Sequence, residues 1–366
     1  MPFPQFDRNK LLIKPLSERL NKVIIENDHV PIDSEPKNKS AEFLELIELT
    51  AERIKFAHEN KASVMLTMGA HTIKNGMAPT LIKLLEEKWI THLATNGAGI
   101  IHDWEFAFQG LSSEDVKANV KLGQFGIWEE TGKYLNLAII VGAFEGKGYG
   151  ESVGSMIENE GVNIPSNDEI AEIVNNYNND LERSAAAIDL LKIKSDFNLQ
   201  SGWMKIKFPY KKYCVQAAAY KYGIPFTSHP MFGHDIIYTH PFNYGAAIGR
   251  AAQRDFLTYA NSVNNIENGV YMSVGSAVMS PMIFEKSLSM SQNLHIQNKE
   301  HIDNHFMLIV DLAEATWDWS KGEPPITNPA YYLRYLKTFN RMGGTMKYLS
   351  ADNRDFLLAL YQTLIK

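Results

Sequence analysis

Between residues 42 and 60 apolar side chains fall at Phe43, Leu44, Leu46, Ile47, Leu49, Ile54 and Ala57, close to the spacing of one buried helix face. Ser63-Val64-Met65-Leu66-Thr67 follows as a strand-length apolar run that closes at Gly69. Pro79 opens a helical stretch to Glu87, and Ile90-Thr91-His92-Leu93-Ala94-Thr95 is a second strand, ending at Gly97 and Gly99. This β-loop-α-β-loop spacing suits a right-handed parallel crossover. The theme recurs in apolar runs that close on glycine or a polar residue: 137–141 before Gly142, 224–227, 270–274 before Gly275, and 307–310 before Asp311. Residues 168–198 read as mostly helical, broken by the asparagine-rich 175–179, and 214–222 as a further helix. The pattern predicts an α/β fold: a Rossmann-like, open, mostly parallel sheet with helices on both faces. Residues 1–40, with short apolar pieces among Pro, Asn, Asp and Lys, read as an N-terminal arm. Residues 41–366 read as one domain, because neither an internal repeat nor a long linker interrupts them.

Composition narrows the function classes. With 45% hydrophobic and 21% charged residues the chain is able to bury a sizeable core. A formal net charge of −6, with no cluster of Lys and Arg to override it, argues against nucleic acid or anionic lipid as a partner. Cys214 is the only cysteine, which excludes an intramolecular disulfide and a cysteine metal cage and fits a reducing compartment. No N-terminal apolar segment resembles a signal peptide, and no run approaches the roughly 20 apolar residues of a membrane span. The expectation is a soluble, cytoplasmic protein.

In open α/β sheets ligands bind beyond the carboxyl ends of the strands, so the strand ends carry the candidate chemistry. Thr95-Asn96-Gly97-Ala98-Gly99 lets backbone N–H groups approach a pyrophosphate without a Cβ in the way, although no Gly-x-Gly-x-x-Gly is completed. A tight strand-to-helix turn explains the same residues. A second group, Gly142, Gly146, Gly148, Gly150 and Gly154 around Lys147, reads as a flexible loop, a lid or a second phosphate contact. His229, His234 and His240 flank Asp235 and Tyr238, without helix-face or zinc spacing, so a polar pocket is expected there and no metal. His234 and His102 are the candidate general acid/base residues; His102 with Asp103 also reads as a ribose contact or a helix-start pair. Trp317, Trp319, Tyr331, Tyr332 and Tyr335 wall a pocket or pack a core.

Taken in order, these segments resemble the deoxyhypusine synthase family. Gly-Ala-His-Thr-Ile-Lys-Asn-Gly at 69–76 and Thr-Asn-Gly-Ala-Gly-Ile-Ile-His-Asp at 95–103 are similar to its paired NAD-contacting segments. Ile224-Pro225-Phe226 followed by Gly233-His234-Asp235-Ile236-Ile237-Tyr238 looks like its strand followed by an Asp that faces the amine substrate. Gly275-Ser276-Ala277-Val278 is similar to its later glycine-rich strand end, and 348–352 with 356–363 to its final strand and helix. NAD-dependent enzymes that cyclise ornithine have glycine and His-Asp loops much like 97–103. The resemblance implies NAD held by His71, Asn75, Gly76, Thr95, Asn96, Gly97, Gly99, Asp103, Gly275 and Asp352. It implies catalysis by Lys337, His234 and Asp235, and a homodimer or homotetramer whose subunits complete one another's sites. The family's chemistry passes an oxidised amine, as an imine, to an enzyme lysine, and Lys337 takes that lysine's place.

Departures qualify the activity. Where the family has its catalytic histidine the chain reads Met279-Ser280-Pro281-Met282-Ile283. The acids that hold a polyamine in the lysine loop are Ala330 and Tyr331, while Asp235 and Asp318 remain. The expected function is therefore a deoxyhypusine synthase-like, NAD-dependent oxidation of a small amine or amino acid to an imine, followed by transfer or cyclisation. The alternatives are a dinucleotide-binding sensor without catalysis, or authentic deoxyhypusine synthase.

Overall fold

The computed structural model describes residues 3–366. Six strands, β1 (Val64–Met68), β2 (His92–Thr95), β3 (Phe226–Ser228), β4 (Val270–Val274), β5 (Phe306–Asp311) and β6 (Thr345–Ser350), form a sheet that is parallel throughout. Their spatial order is β6-β5-β4-β1-β2-β3. Every residue of β1 to β4 is buried, as expected of parallel strands covered by helices on both faces. Met65, Tyr271 and Met307 stand in register across β1, β4 and β5 and enter one apolar cluster with Phe284, Leu336 and Phe339. Helix Ala41–Glu59 lies against β1 and β4, helix Asn353–Leu364 against β5, and the two helices pack on each other. Ser40 caps the first of them by accepting from the Phe43 N–H at 3.3 Å. The expected α/β architecture is thus present.

The described chain divides into two compact units, each built from three segments. Residues 28–99, 218–229 and 256–366 carry the whole sheet. Residues 3–27, 100–217 and 230–255 form a mainly helical unit in which helix Glu129–Glu145 packs against Tyr149–Asn159 and Leu181–Asp196. Residues 3–27 are built into this unit. Asn21–Ile24 pairs antiparallel with Leu111–Glu114, Leu16 and Ile25 are buried, and the Arg19 Nη1 donates to the Glu105 Oε1 at 2.6 Å with both side chains at 2% exposure or less.

Two sequence expectations change here. Residues 137–141 are not a strand but the middle of helix Glu129–Glu145, 12 of whose 17 residues are buried. A helix buried on nearly all sides loses its polar face, and with it the period that marks it. In the second glycine group Gly142, Gly150 and Gly154 lie within helices, and only Gly146 and Gly148 lie in the short connection between them. The group packs the helices closely: a Cβ on Gly142 would collide with Ser152 and one on Gly148 with Asp255, while Gly146 ends the first helix at φ +84°.

Candidate functional site

Read from the opposite edge, the sheet order is β3-β2-β1-β4-β5-β6. The chain builds outward from β1 in one direction, returns to β4, and builds outward in the other. At such a reversal the helices that follow the two neighbouring strands leave on opposite faces, which opens a crevice beyond their carboxyl ends. Glycine stands at both of those ends. The Gly69 N–H donates to the Val274 carbonyl at 3.0 Å, and a Cβ at Gly69 would collide with the Gly275 carbonyl, so only glycine lets β1 finish against β4. Gly275 itself has φ +60° and open space around it.

The other proposed cofactor residues occupy varied places in the sheet unit. Thr95 Oγ1 donates to the Met68 carbonyl at 3.0 Å, and Asn96 accepts from the Gly99 N–H at 3.0 Å. Gly99 is required by packing, because its Cβ would strike Thr95. These side chains shape the turn into the helix that begins at Gly97, and what remains for a ligand there is backbone. His71 is exposed, Asn75 donates to Asn353 at 3.4 Å, and Gly76 has φ +83° with the Asp28 carbonyl directly against it. Asp352 caps the last helix and pairs with Arg354 at 2.8 Å, which holds its carboxyl below the ordinary range.

Asp103 belongs to the helical unit and is fully buried. It accepts from the N–H groups of Val215 and Gln216 at 3.0 and 2.8 Å, from Gln216 Nε2 at 3.0 Å and from Cys214 Sγ at 3.1 Å. Burial nevertheless pushes its carboxyl up, against the pull of those donors. Asp103 thus lies inside helix Gly97–Gln109 and uses both oxygens to cap another helix, the one that begins at Val215.

The helical unit holds a second constellation, around Asp235. The turn Ile236–Thr239 is pinned by Asn136 donating to the Ile237 carbonyl at 3.0 Å and by Arg8 donating to the Tyr238 carbonyl at 2.8 Å. Asp235 precedes this turn without capping it. Its Oδ2, the Tyr238 hydroxyl and the Tyr149 hydroxyl are all buried and all lack a hydrogen-bond partner among the described residues. They are close enough to feel one another. Burial first, and then the Asp235 charge, push both phenols upward, with Tyr238 and Asp255 adding to the effect on Tyr149. Burial pushes Asp235 up to about 6, with His234 opposing. Asp255 accepts from the Gly150 N–H at 2.9 Å. A carboxyl and two phenols with free hydrogen-bonding capacity are a fitting receptor for a small ammonium group, and a carboxyl near 6 can exchange a proton at neutral pH. Tyr149 escaped the sequence reading because its glycine neighbours looked like a loop.

The remaining candidates have surroundings of their own. His234 is exposed, and His240 accepts from the Phe242 N–H at 3.1 Å and faces Glu129 at 3.3 Å. His229 belongs to the sheet unit and His234 and His240 to the helical unit. Lys337 is 13% exposed; its Nζ lies 3.7 Å above the Tyr331 ring centroid and 3.8 Å from Glu323. Both are contacts that a cation makes. Trp319 is in the sheet unit's core cluster, with Trp317 and Tyr335 packed against it, so these aromatics serve packing. Asp318 is exposed. Among the described residues no three His, Cys, Asp or Glu gather as a metal site would need, and no helix is long and apolar enough to cross a membrane.

No protein-family model matches the chain, and no curated protein sequence does. Solved structures match the chain only at low similarity. A conserved protein of Methanococcus maripaludis S2 assigned as LOR/SDH is 14% identical, with a TM-score of 0.43, over 92% of this chain and 70% of that one. AgrE, in a ternary complex with ornithine and NAD+, is 16% identical with a TM-score of 0.43; the match covers 89% of this chain and only 34% of AgrE. A protein of Entamoeba histolytica assigned as a deoxyhypusine synthase is 11% identical with a TM-score of 0.42, over 89% of this chain and 90% of that one. Likeness this slight carries no argument about activity, which rests on the chain's own residues.

Proposed function

We propose that the chain is an NAD-dependent enzyme that oxidises a small amine or amino acid to an imine, which is then transferred or cyclised. The observation that carries this reading is the reversal of strand order between β1 and β4 with Gly69 and Gly275 at the two strand ends, the arrangement that receives dinucleotides in open parallel sheets. Gly69, Gly275 and the backbone of 95–99 would hold the dinucleotide, with His71, Asn75, Gly76 and Asp352 on neighbouring loops. NAD supplies a hydride acceptor when bound. The chain's own contribution is to bind and orient. Asp235, Tyr149 and Tyr238 would receive the substrate ammonium, and Asp235 would take a proton from it near neutral pH. Lys337 serves as the imine carrier only if it leaves Tyr331 and Glu323. Asp103, used as a helix cap, has no part in this proposal. Self-association as a dimer or tetramer and a cytoplasmic location belong to the same reading.

A second reading, dinucleotide binding without catalysis, draws support from Met279-Ser280-Pro281-Met282 standing where the resembled family keeps its histidine, and from the cation contacts of Lys337. Calorimetric titration with NAD, followed by nicotinamide absorbance on addition of polyamines, ornithine-like amino acids and amino sugars, separates the two. Binding with reduction by one of these amines is expected; binding without reduction by any favours the second reading. No heat at millimolar NAD, with folded protein, removes both.

A further inference from the structure

The sheet unit contains a buried chain of side chains that neither reading uses. His92 Nδ1 is 2.8 Å from the Ser262 hydroxyl, and its Nε2 is 2.9 Å from the Thr227 hydroxyl. The same Thr227 hydroxyl is 3.0 Å from Nε2 of His229. His92 is fully buried and His229 is 8% exposed, while Ser262 is half-buried. Tyr259 stands edge-on to both imidazoles, with ring centroids 5.5 Å and 5.1 Å away, which fixes the planes of the two rings. His229 directly follows the last residue of β3, and its N–H donates to the Thr95 carbonyl at 2.9 Å. It therefore lies at the carboxyl edge, beside the loop proposed for the dinucleotide. Its Nδ1 is the ring nitrogen that Thr227 does not engage.

Thr227 Oγ1 has one hydrogen and lies between two imidazole nitrogens. It donates to one and accepts from the other, so the two rings hold opposite hydrogen-bonding roles and must switch together. In one arrangement His229 Nε2–H donates to Thr227, Thr227 donates to His92 Nε2, and His92 Nδ1–H donates to Ser262. The reverse arrangement turns every donor into an acceptor. Burial draws both histidines down to about 3, with His229 adding to the effect on His92, so a relay that never charges either ring suits this interior.

We propose that Ser262, His92, Thr227 and His229 form a proton relay, with His229 Nδ1 as the group that exchanges a proton with a ligand at the carboxyl edge. The step balances. A proton that arrives on His229 Nδ1 displaces the Nε2 proton to Thr227; the Thr227 proton moves to His92 Nε2; the His92 Nδ1 proton moves to Ser262, whose own proton passes to water. Each ring ends neutral. No oxidant or cofactor takes part. The ligand role of His229 rests on the dinucleotide reading, whereas the coupling of the two rings does not.

The test is nitrogen-15 NMR of histidine-labelled full-length protein, which reports the tautomer of each ring. Ser262→Ala removes the far partner of His92 and is expected to shift the ring nitrogens of His229, at the other end of the relay. The same substitution in a Thr227→Val background is expected to leave His229 unmoved, and Thr227→Ser is expected to restore the response. If Ser262→Ala leaves His229 unchanged while Thr227 is in place, the relay is overturned. That arm alone decides the matter should Thr227→Val misfold. Saturating NAD is then added to the wild type. Bound NAD that leaves the His229 resonances in place overturns the ligand role of His229. Absence of NAD binding overturns that role together with the function proposed above, and leaves the ring coupling to stand or fall on Ser262→Ala.

Discussion

Asp235→Asn is the most informative single change, because burial has given this carboxyl a pH-dependent cost. The ordinary carboxyl titrates near 3.8 and Asp235 near 6, so the charged form is disfavoured in the folded protein. A separation of this size corresponds to about 3 kcal/mol. Below pH 3.8 both folded and unfolded chains hold the proton and the cost is absent. As pH rises from about 4 to about 6 the unfolded chain ionises first and stability is lost, and above about 6 the loss is complete. The amide that replaces the carboxyl in the variant does not titrate. Urea denaturation of wild type and Asp235→Asn at about pH 4.5 and about pH 8 isolates the effect, since every other carboxylate cancels in the difference. The variant is expected to gain about 2 kcal/mol on the wild type between those two pH values. A difference that stays constant, or moves in favour of the wild type as pH rises, refutes the placement of Asp235 in a dry site. An ammonium ligand acts in the opposite sense: it favours the ionised carboxyl, so a substrate amine should stabilise the wild type at about pH 8 and leave Asp235→Asn unaffected.

Three further outcomes are expected. Glu105→Gln leaves Arg19, whose Nη2 already has no partner, as an uncompensated buried cation, and should cost about 3–5 kcal/mol in urea denaturation; a loss under about 1 kcal/mol would mean that water reaches the pair. Gly69→Ala forces a methyl onto the Gly275 carbonyl, so about 1–3 kcal/mol of stability should be lost, with NAD affinity falling in calorimetry of the folded fraction; unchanged NAD affinity would move the dinucleotide away from β1. Lys337→Arg keeps both the Tyr331 and Glu323 contacts and should leave stability within about 0.5 kcal/mol. If Lys337 carries the imine, borohydride traps a substrate adduct on wild type and none on this variant; an adduct on both removes Lys337 from the mechanism.

How much of this was legible in the sequence depends on the range over which each feature is decided. The sheet strands are local: β1, β2, β4 and β5 are short runs rich in apolar residues that end at glycine or a polar residue, and the pattern located all four. Helix Glu129–Glu145 is equally apolar, and burial on most sides erased the period that separates helix from strand. The side chains of the candidate sites are decided at long range. Asp103 read as a ribose contact or a helix-start pair, and its donors lie 111 to 113 residues further on. Arg19 sat in what looked like an arm until Glu105, 86 residues away, drew it into the interior. Thr227 and His229 are two apart, so strand alternation alone places them on one face, but His92 lies on the adjacent strand, 135 residues from Thr227. The sequence marks strand ends because glycine is needed where backbones meet. A buried carboxyl, an orphaned phenol or a shared hydroxyl acquires its chemistry only from neighbours that the fold supplies, which is why Asp235 was a nameable candidate while Tyr149 beside it was not.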